Sequence, residues 1–283
     1  MPDQLPRRPL GRTGLDVTPL GVAAGSMRAA GPKGLKLEAA EVERAFHEHG
    51  INTFFVVAAF KEVAEGVRRL VKAGHRDELV IVSMAGLPFG WSVHRAWEKH
   101  ARALGVETID VFLLGWIQGR WFLTGKTWPA MQRLREQRKV RAVGYSTHKR
   151  RLATALAREF DPDVLMIRYN AAHRGAETDI FDELGDDGPG IISYTATRWG
   201  MLLQPVPQAG FASGMTGPEC YRFVLGHPAV DVALCAARSG AELDENVAGV
   251  REGPLDPARL EEVRRFGDAV HANARGGFRW MFR

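Results

Sequence analysis

The chain has 283 residues, 45% hydrophobic and 25% charged, with 38 Lys and Arg against 33 Asp and Glu. This is the balance of an ordinary globular protein, and a basic excess this small, scattered along helices, argues against a nucleic-acid surface. Two cysteines, Cys220 and Cys235, without a CxxC or a Cys/His cluster, exclude a disulfide scaffold, an iron–sulfur cluster and a structural zinc site.

Residues 8–18 read as a hairpin turning at Gly11 and Gly14, flanked by Leu10, Leu15 and Val17. A first core strand follows over 20–24. An amphipathic helix over 36–49 (Leu37, Ala40, Val42, Phe46) is stopped by Gly50. The stretch GINTFFVVAAFK, residues 50–61, has no charged side chain from Thr53 to Phe60, which fits a strand covered on both faces. Strands are then predicted over 79–84, 109–114, 140–146, 164–169, 190–194 and 230–234. Helices are predicted over 63–73, 91–104, 127–137, 149–160, 179–184, 218–225, 241–250 and 257–272. On the helix over 91–104, His94 and His100 are six apart and read as surface residues.

Eight β–α alternations with short connections predict a parallel sheet closed into a (β/α)8 TIM barrel. The α/β chain reads as one domain over 1–283, with the hairpin in front and extra helices behind. A doubly wound sheet is disfavoured because no G-x-G-x-x-G follows the first strand. The Pro/Gly-rich stretch 203–217 is a candidate lid or cofactor-belt segment. No apolar run of about 18 residues and no apolar leader occur, so a cytoplasmic protein with no membrane partner is expected. The oligomeric state has no signal.

Several motifs stand in a familiar order. They are Leu10-Gly11-Arg12-Thr13-Gly14-Leu15, Gly50-Ile51-Asn52, Lys139-Val140-Arg141-Ala142-Val143-Gly144, Tyr169-Asn170, Ser193-Tyr194-Thr195 and Glu245-Asn246. From about residue 8 to residue 250 the chain resembles the aldo-keto reductase family. The resemblance implies a barrel that binds NADP(H) and reduces carbonyls with a Tyr proton donor, a Lys, an Asp and a His. Alkoxide charge builds on oxygen as hydride arrives, and it needs a proton donor or cation. The matching positions here are Phe55 for the Asp, Phe60 for the Tyr, Met84 for the Lys and Gly115 for the His.

For the cofactor, the resemblance implies that Ser146 and Thr147 face the nicotinamide carboxamide, with Met166 in place of a usual Gln. Tyr194 would stack on the nicotinamide and Thr195 would meet a phosphate. Arg238, Ser239, Glu245 and Asn246 resemble an adenosine-phosphate clamp, with Arg238 able to pair with a 2′-phosphate. NADP(H) and a small-molecule ligand are therefore the expected partners. A mouth lined by Phe55, Phe60, Met84 and Trp116 suits a bulky apolar substrate. Two other readings stand beside an altered oxidoreductase. One is a non-catalytic binding or partner protein on the same scaffold. The other is a non-redox lyase or isomerase using His148 and the pair Arg168 and His173 as acid, base and anion holder. Arg168 could instead be paired with Glu177 or Asp179.

Overall fold

The hairpin comes first, with β1 (Arg8–Pro9) antiparallel to β2 (Asp16–Val17). It turns on Gly11 and Gly14 at φ +44° and +70°. A Cβ at Gly11 would run into the backbone of Gly190, so a glycine is required there on two counts. The structure, a computed structural model, describes residues 4–24, 37–57, 61–185 and 187–273.

Eight parallel strands close a barrel. They are β3 (Leu20–Val22), β4 (Thr53–Phe55), β5 (Val80–Ala85), β6 (Ile109–Leu114), β7 (Val140–Thr147), β8 (Val164–Arg168), β9 (Gly190–Tyr194) and β10 (Val232–Cys235), with β10 paired back onto β3. Around them run α1 (Ala39–His47), α2 (Lys61–Lys72), α3 (Gly90–Leu104), α4 (Thr127–Glu136), α5 (Arg150–Phe160), the short α6 (Asp182–Leu184), α7 (Gly217–Leu225), α8 (Gly240–Arg251) and α9 (Pro257–Ala272). The (β/α)8 barrel, the hairpin and the C-terminal helices are as the periodicity predicts, with most ends shifted by one to three residues. The strand expected to run to Phe60 is described over Thr53–Phe55, and residues 58–60 lie outside the described residues.

Two cores follow from strand alternation. Inward side chains include Phe55, Val82, Met84, Val111, Leu113, Ala142, Val164, Met166, Ile192 and Val232. Leu10, Leu15 and Val17 of the hairpin belong to the same cluster and plug the N-terminal end of the barrel. Outward residues pack under the helices, among them Phe54, Ile81, Phe112, Leu165 and Ile167. The Gly50-Ile51-Asn52 motif joins the parts. The Asn52 Oδ1 accepts from the Thr18 N–H at 2.8 Å, and its Nδ2 donates to the Asp16 carbonyl at 2.7 Å.

His100 departs from expectation: it is 7% exposed, on the face of α3 that carries Val93, Trp97 and Leu104. Its Nδ1 lies 2.7 Å from the Ser83 hydroxyl, and burial first, then nearby Lys99, lowers its pKa to about 4. His94 is at the surface, 3.4 Å from Glu98. The 203–217 stretch is anchored at a few points. Val206 and Met215 are buried, and Phe211 packs on Phe266 of α9 with centroids 5.1 Å apart.

Candidate active site at the C-terminal mouth of the barrel

The strand order splits the mouth into two arcs. Neighbouring β4, β5 and β6 bring Phe55, Met84 and, one residue past the strand, Gly115. Neighbouring β7, β8 and β9 bring Ser146, Arg168 and Tyr194, with His148 just beyond β7. One arc is apolar and the other polar and cationic.

Met84 and Gly115 form one packing unit. A Cβ at Gly115 would fall inside contact distance of the Met84 sulfur and 3.0 Å from its Cγ. No larger side chain fits at 115 while Met84 keeps its place. Trp116 follows at φ +55°, 54% exposed, with its ring over Gly86, where a Cβ would be 3.3 Å away.

On the polar arc the Tyr194 hydroxyl lies 3.2 Å from Nδ1 of His148, and the two rings meet edge to face. Ser146 is buried on the same arc. Burial raises the Tyr194 pKa, with Arg168 and Ser146 pulling the other way. Burial first, then the positive charge of Arg168, lowers the His148 pKa to about 4. His148 is therefore neutral at neutral pH.

Arg168 is 5% exposed, and its Nη1 has no hydrogen-bond partner among the described residues. Burial lowers its pKa. Tyr194 opposes that effect, and Arg150 and Arg198 add to it. Neither carboxylate suggested by the sequence reaches Arg168. Glu177 accepts from the Tyr169 hydroxyl at 2.7 Å and pairs with Arg264 at 3.0 Å, and Asp179 pairs with Arg150 at 2.7 Å. His173 has its own partners on α9 and the loop after β8. Its Nδ1 lies 3.2 Å from the Asn170 Oδ1, and its ring packs on His271 of α9 at 5.3 Å.

Thr195 sits at φ +60°, and its buried Oγ1 has no hydrogen-bond partner among the described residues. Its carbonyl accepts from Asn170 Nδ2 at 2.8 Å, which accounts for the Tyr169-Asn170 motif. Thr147 is committed within the protein: its hydroxyl donates to the Ile117 carbonyl at 2.7 Å and accepts from the Lys149 N–H at 3.1 Å. Met166 is buried in the inner core. At the last strand, Ser239 caps α8. Arg238 is exposed and turned onto Glu242, with Nε–Oε1 and backbone N–Oε2 distances of 2.8 Å. Asn246 is buried with its Nδ2 3.5 Å from the Cys235 sulfur, while Glu245 is exposed. Arg198, which no sequence motif singles out, is 4% exposed and donates to the Val270 carbonyl at 2.8 Å.

The Aldo/keto reductase family model matches residues 22–209, about two thirds of the chain. The chain belongs to the aldo-keto reductase family. Solved structures share the fold of this aldo-keto reductase at low identity. An aldo-keto reductase from Bacillus halodurans (holo form) is 17% identical with a TM-score of 0.76, covering 94% of this chain and 97% of that one. A putative aldo-keto reductase from Pseudomonas aeruginosa is 22% identical with a TM-score of 0.69, covering 88% and 96%. A curated relative, the 9,11-endoperoxide prostaglandin H2 reductase of Trypanosoma cruzi (strain CL Brener), is 29% identical over 103 residues. That match spans 34% of this chain and 33% of the relative. Among the described residues no helix is long and apolar enough to cross a membrane, and no group of three or more His, Cys, Asp and Glu could hold a metal ion.

Proposed function

We propose that this aldo-keto reductase binds a nicotinamide dinucleotide at its barrel mouth but has lost the family's ordinary machinery for carbonyl reduction. The split mouth carries the reading. Phe55 and Met84 on β4 and β5, and Gly115 one residue past the neighbouring β6, stand where the family resemblance calls for an Asp, a Lys and a His. None of the three offers an acidic proton or a cation to a developing alkoxide. Because Met84 fills the space above Gly115, the two replacements are mutually adapted. Phe60, at the proton donor's position, lies outside the described residues. Its side chain cannot donate a proton in any conformation.

The residues on the polar arc fit a nicotinamide end. A bound nicotinamide supplies a transferable hydride. Tyr194 would offer its ring face, Ser146 a hydroxyl for the carboxamide, and Thr195 a buried hydroxyl without a partner. Thr147 and Met166 add no polar contact. At the other end a 2′-phosphate must compete with Glu242 for Arg238, so the preference for NADPH over NADH is modest. The neutral His148 against the Tyr194 hydroxyl supports a second reading, acid–base chemistry without a nucleotide. It predicts turnover that added nucleotide does not change.

The test is a titration of the protein with NADPH and with NADH, followed by quenching of tryptophan fluorescence, repeated with Tyr194→Ala. Stacking on an aromatic ring is worth enough that the variant should bind about tenfold more weakly. If neither nucleotide quenches the wild-type protein, the proposal fails.

A further inference from the structure

Charge is distributed unevenly between the two ends of the barrel. Near the N-terminal end, three carboxylates are tied into the sheet. Asp110 accepts from the Ile81 N–H at 2.8 Å, Asp163 from the Val143 N–H at 2.9 Å and Asp231 from the Ile191 N–H at 2.8 Å. Cations balance two of them: Arg76 lies 2.9 Å from Asp110 and Arg135 2.9 Å from Asp163. At the mouth the reverse holds. Arg168 and Arg198 are both buried, and neither makes an ion pair with a carboxylate among the described residues. A guanidinium stays charged in a protein, and a buried charge without a counter-ion destabilises the fold. The inward side of β8 thus presents a cation with an unused donor, the Arg168 Nη1, beside Tyr194, its register partner on β9. Across the mouth the surface is apolar, formed by Phe55, Met84 and the Trp116 ring.

We infer that Arg168 is an anion-binding group and that the mouth takes a small apolar molecule bearing one carboxylate. The carboxylate meets Arg168 and the Tyr194 hydroxyl, while the apolar body lies against Phe55, Met84 and Trp116. A carboxylate matches the planar guanidinium better than a spherical anion does, because it can accept two parallel N–H bonds. His148, neutral at the adjoining position, adds no competing charge at neutral pH. The inference names a substrate class for the mouth treated above and rests on that mouth being the ligand site. It does not need the nucleotide.

The experiment uses the full chain without nucleotide. Calorimetric titration compares 3-phenylpropanoate with its neutral isostere 3-phenylpropanamide, and then with inorganic phosphate and chloride. The acid should bind about 10- to 100-fold more tightly than the amide, the range a hydrogen-bonded buried charge supports. Arg168→Met should erase that difference, Arg168→Lys should keep part of it, and Arg168→Met should melt at a higher temperature than the ligand-free wild type. Equal binding of acid and amide, or no binding of either, overturns the inference even where Arg168→Met fails to fold. Chloride or phosphate binding as tightly as the acid also overturns it, since that describes an unselective anion site. Nucleotide binding is measured separately: acid binding without nucleotide binding would sink only the proposed function, and the converse only this inference.

Discussion

The interlock of Met84 and Gly115 gives a sharp prediction. Gly115 is not at positive φ, so only space opposes a side chain there. Gly115→Ala puts its methyl into the Met84 sulfur, and overpacking of this kind costs about 1–3 kcal/mol. The thioether is flexible, which favours the low end. Loss of glycine's freedom in the unfolded chain returns about 0.4–1 kcal/mol. The net loss is about 0.5–2 kcal/mol, a fall in Tm of a few degrees for a chain of this size. Met84→Ala alone should cost about 2–5 kcal/mol, because the side chain is buried in the inner core. In that background the same Gly115→Ala change meets no sulfur and should become stabilising by about 0.4–1 kcal/mol. The assay is urea denaturation of the four proteins of the cycle. If the two changes add within about 0.5 kcal/mol, the sites are independent and the interlock is refuted.

Freeing Arg238 should alter nucleotide preference. An exposed pair of this kind is worth at most about 1 kcal/mol, so Glu242→Gln should raise the NADPH-to-NADH affinity ratio by up to about fivefold, and an unchanged ratio would remove Arg238 from the phosphate site. His148 and His100 each have a folded-state pKa near 4, below the ordinary value of 6.5. Between those values the unfolded chain holds protons that the folded chain does not, so stability falls as pH drops from 6.5 towards 4. Replacing His148 with Gln should flatten that slope by up to about 1.4 kcal/mol per pH unit, as read from Tm against pH, and an unchanged slope would mean that His148 titrates normally. Thr195 is β-branched at φ +60°, a conformation that glycine adopts freely. Thr195→Gly should gain about 1 kcal/mol in chemical denaturation while weakening nucleotide binding, and a loss of stability would argue against strain at this turn.

The barrel was legible because its signals are local. Alternation of apolar strands with helices stopped by Gly74 and Gly105, both at positive φ, marks each unit, and the helix over Pro257–Ala272 starts and stops where the periodicity says. The apolar arc was legible too, since strand ends bring Phe55, Met84 and Gly115 together by topology alone. His100 was misread from its distance to His94. Its spacing of three from Trp97 and four from Leu104 puts it on the apolar stripe of α3, a signal present in the sequence. Arg168 is a different case. Whether it is paired depends on Glu177 choosing Arg264, 87 residues away, and Asp179 choosing Arg150. No local pattern encodes those choices. The same holds for Arg238, whose place beside a phosphate-clamp motif does not show that Glu242, one turn on, already holds it.

The most direct test of the account follows NADPH absorbance with the nucleotide saturating, against a panel of simple aldehydes and ketones. The expected result is nucleotide bound at the mouth and no oxidation above the protein-free rate. Robust turnover, on the order of one per second or faster, would contradict it and would mean that another group supplies the missing proton.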